Sequence, residues 1–352
     1  MSKRILTYYQ VKGKDHIGGC EYYRQQMPHQ ALIDMYNYEI KITNSFKSIT
    51  DDELLKYDAV HLIRRDYAGV IDRCKRMGIP TVFDIDDYWQ LYFSHPLNKV
   101  YTEQKYAENV VNAITKATVV TCSTELLAQQ IRKIRPDVIV IPNAILDSEP
   151  QFEKIKYPST DKLHIGWIGG SMHEKDIELI CESMQKVWDD PELNNKIKFV
   201  FGGYVSGHPL YHKFLNYISG RGNKNSIDNI ILLPPTNVNE FANMYDYCHV
   251  MLAPLKKNLF NECKSELKVV EAGWKGKAVI ASNVEPYKYF DSVILVDERK
   301  SHKDWYKAIK MLVNNPEMVM RLQQNLHEEI MNKHNLKNSI CKLEEIYRTM
   351  TS

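Results

Sequence analysis

Short apolar runs alternate with longer stretches of helical period along almost the whole chain. Runs at 4–8, 38–42, 59–62, 81–84, 119–122 and 138–141 read as strands. The stretches between them at 22–35, 67–77, 101–117 and 125–134 are amphipathic at helical spacing. The pattern then restarts, with strand-like runs at 163–168, 197–202, 230–233, 250–253, 278–281 and 293–296. Buried parallel strands are continuous apolar runs, and parallel pairs need helical crossovers. Two such blocks predict an α/β chain of two Rossmann-like, doubly wound parallel-sheet domains. Between the blocks, residues 147–162 (DSEPQFEKIKYPSTDK) carry two prolines, many charges and no periodicity, as a linker does. From about Ser301 onward three helical patterns follow without a strand. One starts at Asn315-Pro316, where proline suits a first helical turn.

Composition changes this picture little. A chain of 352 residues with 44% hydrophobic and 26% charged residues is an ordinary globular protein of two domains. Lys plus Arg number 46 and Asp plus Glu 44, and residues 1–150 alone hold 19 basic and 19 acidic side chains. Neither the total nor the first half therefore argues for a polyanionic partner. No run approaches the length of a membrane span, and MSKRILTYYQ lacks the apolar core of a signal peptide. The seven cysteines are odd in number, widely spaced and without a CxxC pair. They read as isolated thiols of a reducing compartment, so the expected location is the cytoplasm.

Four places carry candidate chemistry. Gly18 and Gly19 follow the first strand and precede a helix, where a backbone can approach an anion or a sugar. The same residues also read as a plain strand-to-helix loop. Asp84, Asp86 and Asp87 crowd the end of the fourth strand, with alternation pointing Asp84 and Asp86 one way and Asp87 the other. A carboxylate there can orient an acceptor hydroxyl or act as a base. Arg64 and Arg65, in the same layer, either meet the acceptor or neutralise the acids. Gly166–Asp176 turns from strand to helix, with Ser171 and Glu174 spaced as a capping box and His173 and Lys175 beside a helix start fit for a diphosphate. The fourth is Asn261–Gly273. Lys264 and Ser265 are placed at a helix start where they can hold phosphate oxygens. Leu267, Val270 and Trp274 fall on one face of that helix, and Glu271 lies about two turns further in, able to accept both ribose hydroxyls.

In chain order these motifs resemble the GT-B glycosyltransferases, in particular the large retaining family called glycosyl transferases group one. The resemblance runs through Gly18-Gly19, Val82–Asp87, Val120–Glu125, Ile141–Ala144, Gly166–Gly169, Asn261–Glu271 and Gly276–Ser282. It implies two domains facing across a cleft. Residues 1–150 would bind the acceptor, 151–330 the nucleotide sugar, and 331–352 would form a helix returning to the first domain. Glu271 falls on the family's ribose-binding glutamate, and Lys175 on its phosphate-binding lysine. Three departures stand out. Cys263 replaces a glutamate, with Glu262 beside it. Gly170 replaces the phosphate-binding arginine, a charge that Lys264 or His173 would supply. Asp86 stands where relatives have a histidine. A branch pattern Asn-x-x-Lys-Ser matches Asn261, Lys264 and Ser265.

The implied reaction moves a sugar from a nucleoside-diphosphate sugar, UDP-linked, to a hydroxyl, with retention and without a cofactor. The donor-binding set is Gly18, Gly19, Gly170, Ser171, His173, Lys175, Lys264, Ser265, Leu267 and Glu271. The acceptor set is Arg64, Arg65 and Asp86, and the catalytic set is Asp86, Asp87 and Lys264. No metal is expected, because lysines and helix N-termini stabilise a diphosphate leaving group. The acceptor read first is a glycan or a lipid-linked glycan. Two alternatives stay open, a hydroxymethylated base of DNA as acceptor and a nucleotide-sugar-binding module without turnover.

Overall fold

The computed structural model describes residues 2–8, 18–66 and 69–351. The chain forms two units, one of Met1–Asp147, Glu262–Ser265 and His334–Ser352, the other of Ser148–Asn261 and Glu266–Lys333. Each holds a parallel six-stranded sheet.

In the first unit the strands are β1 (Arg4–Tyr8), β2 (Glu39–Thr43), β3 (Ala59–Ile63), β4 (Thr81–Ile85), β5 (Val119–Cys122) and β6 (Val138–Val140). Their order is β2-β1-β3-β4-β5-β6, so the chain reverses direction across the sheet between β1 and β3. β3 and β4 are buried at every position, whereas the edge strand β2 is largely exposed. That is why the central strands read as unbroken apolar runs. The crossovers are α1 (Met27–Tyr36), α2 (Val70–Arg76), α3 (Tyr106–Lys116) and α4 (Glu125–Ile131). The single helix expected over 101–117 is broken. Asn98–Glu103 forms one helix, and Lys105 takes a left-handed φ of 49° before α3 begins. An L-residue held in that region ends the preceding turn.

The second unit contains β7 (Leu163–Ile168), β8 (Ile197–Gly202), β9 (Ile230–Leu233), β10 (Val250–Ala253), β11 (Ala278–Ser282) and β12 (Val293–Val296). Their order is β12-β11-β10-β7-β8-β9, with the reversal between β7 and β10. Its helices include α5 (Cys181–Asp189), α6 (Pro209–Ile218), α7 (Leu267–Trp274), α8 (Ser301–Val313) and α9 (Pro316–Lys333). The core is strongly aromatic, with Trp167, Trp188, Trp305, Phe199, Phe201 and Phe214 fully buried.

Helix α10 (Leu336–Met350) counts with the first unit. Ile145 N–H donates to His334 O at 2.9 Å and Leu336 N–H to Ile145 O at 2.8 Å, which stitches the segment before α10 to the chain after β6. Further along α10, the Tyr347 hydroxyl lies 2.6 Å from His61 Nδ1 and 3.1 Å from His29 Nε2. Both histidines are buried.

Candidate active site

Ligands of open parallel sheets bind beyond the carboxyl ends of the strands, at the point where strand order reverses. In the first unit that point lies after β1 and β3. Ile17, next to the first glycine, lies outside the described residues. Gly18 is the N-cap of a single turn at Gly19–Glu21, which continues as a π-helical turn over Tyr22–Gln26. Such turns recur at functional sites. This one carries Arg24, whose guanidinium donates to both oxygens of Asp84 at 2.7 and 2.8 Å. It also donates to the carbonyl of Ile141 at 2.6 Å and to Asn143 Oδ1 at 3.1 Å. Thr121 adds a bond to Asp84 at 2.5 Å. Burial works against the Arg24 charge, but Asp84 outweighs it and raises the pKa.

Asp86 and Asp87 share a different partner. Arg64 donates to Asp86 from Nε at 2.5 Å and from Nη2 at 2.9 Å, and to Asp87 at 2.5 Å. The alternation expected for the three aspartates therefore does not hold. β4 ends at Ile85, and beyond a strand end the period of two no longer applies. Burial raises the Asp86 carboxyl, yet Arg64 brings it below its ordinary value, whereas burial and the neighbouring Asp86 leave Asp87 above its own. The Asp86 side chain is 10% exposed and that of Asp87 31%. Arg64 has a left-handed φ of 61°, a strained conformation of the kind found at functional sites. Cys20 hydrogen-bonds Asp86, and burial drives its thiol pKa well up. Arg65 pairs with neither Asp86 nor Asp87. It donates to Gln104 at 3.0 Å and lies over the Tyr106 ring.

Lys264 and Ser265 do not stand at a helix start. α7 begins at Leu267, with Glu266 at the N-cap and no side-chain cap. The segment Glu262–Ser265 counts with the first unit. Cys263 is buried in that unit's core, and its carbonyl accepts the Thr124 hydroxyl at 2.9 Å. Asn143 donates to Ser265 Oγ at 2.9 Å, and the charge of Lys264 acts on Asp87.

In the second unit the reversal lies between β7 and β10. The capping box expected at Ser171 is absent. Gly170 is the N-cap of a 3-10 turn at Ser171–His173, and the following α-helical piece, Glu174–Ile177, is one turn long. Ser171 pairs with Tyr211, and Glu174 pairs with Lys213. So short a helix has little dipole to offer an anion. Lys175 is partly exposed and bonded to Glu178 at 3.0 Å. His173 Nδ1 instead meets Asp176 Oδ2 at 2.7 Å. The other oxygen of Asp176 accepts the Lys256 N–H at 2.8 Å and the Asn261 amide at 3.1 Å. Asp176 thus ties the loop after β7 to the loop after β10.

Glu271 is buried and accepts the Tyr245 hydroxyl at 2.6 Å. The expected one-sided helix is in fact buried continuously from Val269 to Trp274. α7 packs against both the sheet and α9, and a Cβ at Gly273 would come within 2.6 Å of Ile330 and 2.9 Å of Leu326. Lys268, at its start, donates to the Ile168 carbonyl at 2.7 Å and sits over the Trp167 ring. Asp176, Lys268 and Arg24 do not stand out in the sequence. Only Asp176 leaves a signal there, the His-x-x-Asp spacing that puts it one turn beyond His173.

No set of three or more metal-ligating side chains occurs among the described residues, and no described helix is long and apolar enough to cross a membrane. All seven cysteines are free.

Residues 162–315 match the model of the family described as glycosyl transferases group 1. No curated protein sequence matches the chain. Among solved structures, sucrose-phosphate synthase from Thermosynechococcus elongatus aligns with a TM-score of 0.69 at 13% identity, covering 99% of both chains. HepE of Anabaena in complex with UDP-glucose aligns with a TM-score of 0.68 at 12% identity, covering 98% of this chain and 99% of that one. A glycosyltransferase from Rickettsia africae gives 0.67 at 13% identity, over 99% and 98%. The chain is a glycosyltransferase of the GT-B fold. Its second unit carries the glycosyl transferases group 1 domain.

Proposed function

We propose that the second unit binds a nucleoside-diphosphate sugar, UDP-linked, and that the first unit binds the acceptor hydroxyl. The observation that carries the donor reading is Glu271, a carboxylate buried on α7, the helix that follows β10, where it accepts the Tyr245 hydroxyl at 2.6 Å. A carboxylate is an acceptor-only group with room for several donors, so it can take the paired hydroxyls of a ribose. The neighbours solved with UDP and UDP-glucose support the same donor class.

In the first unit one arginine, Arg64, is shared by Asp86 and Asp87, an acid-rich arrangement that suits a hydroxyl donor rather than an anion. The rings of Tyr101 and Tyr106 lie 4.2 Å apart, and Tyr101 is close enough to Arg64 and Asp87 to feel their charges. Charged hydrogen-bond acceptors beside aromatic faces suit a glycan, so the acceptor substrate is a glycan or a lipid-linked glycan. Transfer proceeds with retention, and Asp86 orients the acceptor hydroxyl by a charge-assisted hydrogen bond.

Calorimetry with UDP, GDP and ADP tests the donor. Slow hydrolysis of the sugar nucleotide without acceptor tests turnover. NMR of the product linkage tests retention, and an inverted anomeric centre would make Asp86 or Asp87 the general base instead.

A further inference from the structure

We infer that the second unit holds a further ligand site, in a cavity at the amino ends of its strands, and that this site takes a small amphiphilic anion. The acid group meets Lys162 and Lys196, and a short apolar body lies between α8 and α9. The site is at the opposite end of the sheet from the reversal loops, so it stands whether or not those loops bind a sugar nucleotide.

The cavity has a volume of about 270 Å³. Leu163 lines it at the start of β7, Lys196 just before β8 and His249 just before β10. These three strands are neighbours in the sheet, in the order β10-β7-β8. The last turn of α8, with Leu312, and the first turns of α9, with Val319 and Met320, form the apolar wall. Leu312 and Val319 are buried, whereas Met320 is 60% exposed at the rim. A methionine there has the rotatable bonds to fold over a bound apolar group. Gln323, one turn further along α9, donates from Nε2 to the His249 carbonyl at 2.9 Å. That bond ties α9 to the residue before β10, so the wall is set before a ligand arrives.

Charge decides the sign of the ligand. The ionisable side chains that line the cavity are Asp161, Lys162, Lys196 and His249. Burial lowers His249 to about 4, so its ring is neutral near pH 7. Asp161 accepts the Thr160 hydroxyl at 3.4 Å, and Lys162 donates to Asn229 Oδ1 at 3.5 Å. Neither lysine forms an ion pair among the described residues. Two ammonium groups against one carboxylate make the rim positive, which complements an anion.

The apolar wall decides the rest of the molecule. An acid group held by the lysines leaves the remainder of the ligand against Leu312, Val319 and Met320, so a bare inorganic anion would leave that surface uncovered. Water fills about 30 Å³ per molecule in the liquid, so the cavity takes roughly nine groups of that size, the bulk of an acid of about eight carbons. A recess between two helices takes one such molecule from solution, whereas a bilayer is met by a protruding apolar face.

The test titrates octanoate, octyl phosphate and octanol into the full chain and follows the methionine methyl groups by NMR, with Met320→Leu to identify the Met320 signal. At least one of the two anions is expected to shift that signal saturably, and octanol is expected to bind about fivefold more weakly than that anion. Lys162→Gln and Lys196→Gln are each expected to weaken the anion about threefold and to leave octanol unchanged. UDP added beforehand is expected to leave the anion's affinity as it was. A Met320 signal that neither anion moves overturns the inference. Octanol binding as tightly as the anions overturns its charge, and competition by UDP would place the probe in the donor site and overturn its location. Should a lysine variant not fold, the comparison of anion with octanol on the wild type alone still decides.

Discussion

The two units use one frame and handle the acids at their strand ends in opposite ways. In the first, arginines meet them. Arg24 closes on Asp84, and Arg64 on Asp86 and Asp87. In the second, Asp176 accepts from the Lys256 N–H and the Asn261 amide and meets the His173 ring, and Glu271 accepts the Tyr245 hydroxyl. Buried charges need partners in either case. An arginine brings a full counter-charge to the carboxylate, whereas a backbone N–H, an amide or a phenol brings a hydrogen bond. The first arrangement suits a site for an uncharged hydroxyl.

The sharpest way to break this comparison is to remove an arginine. Arg24→Ala leaves Asp84 buried without its counter-ion and is expected to cost about 3–5 kcal/mol in chemical denaturation. A loss below about 1 kcal/mol would mean that Asp84 is held by its neutral donors, as in the second unit. Asp86→Asn is expected to reduce transfer to acceptor roughly 100-fold while sparing UDP binding and donor hydrolysis. Equal loss in all three assays would place Asp86 in the donor site.

The buried histidines sharpen the contrast through pH. Burial lowers His61, in the first unit, to about 3, and His249, in the second, to about 4. Both stay neutral in the fold and titrate near 6.5 when unfolded, so their contribution is full above about pH 6.5 and is lost as pH falls through the folded values. His61 alone is expected to remove about 1.4 kcal/mol per pH unit below about pH 6.5. His249 is less deeply buried and solvent screens it, so its effect is smaller. Denaturation midpoints between about pH 7 and about pH 4.5 should flatten more in His61→Gln than in His249→Gln. The opposite order would reject the contrast.

Glu271→Ala strands the Tyr245 hydroxyl without its acceptor, at about 1–3 kcal/mol. It is also expected to weaken UDP-sugar binding by more than about tenfold, since it removes the proposed hydrogen bonds to the ribose. Unchanged affinity in calorimetry would reduce Glu271 to a structural role. The smallest effect belongs to Lys175→Ala. Its partly exposed pair with Glu178 is worth less than about 0.5 kcal/mol, so thermal stability should barely move. Any loss of turnover then reports an interaction with the substrate.

All twelve strands were legible in the sequence to within a residue at each end, because buried parallel strands leave unbroken apolar runs between polar turns. The carboxyl ends of those strands were legible for the same reason, and with them the neighbourhoods of Asp86, His173 and Glu271. Partners were not. Local spacing placed Ser171 in a capping box and Lys264 at a helix start. The fold gives Ser171 to Tyr211 and brings Lys264 beside Asp87, more than 170 positions back in the chain.

What the sequence by itself determined is the set of strands, since an unbroken apolar run between polar turns is a local property of the chain. What only the tertiary structure decided is which charge answers which. Arg24 reaches Asp84 across 60 positions, and Asn261 reaches Asp176 across 85. Pairings over such distances follow from sheet order and crossover direction, and no local spacing encodes them.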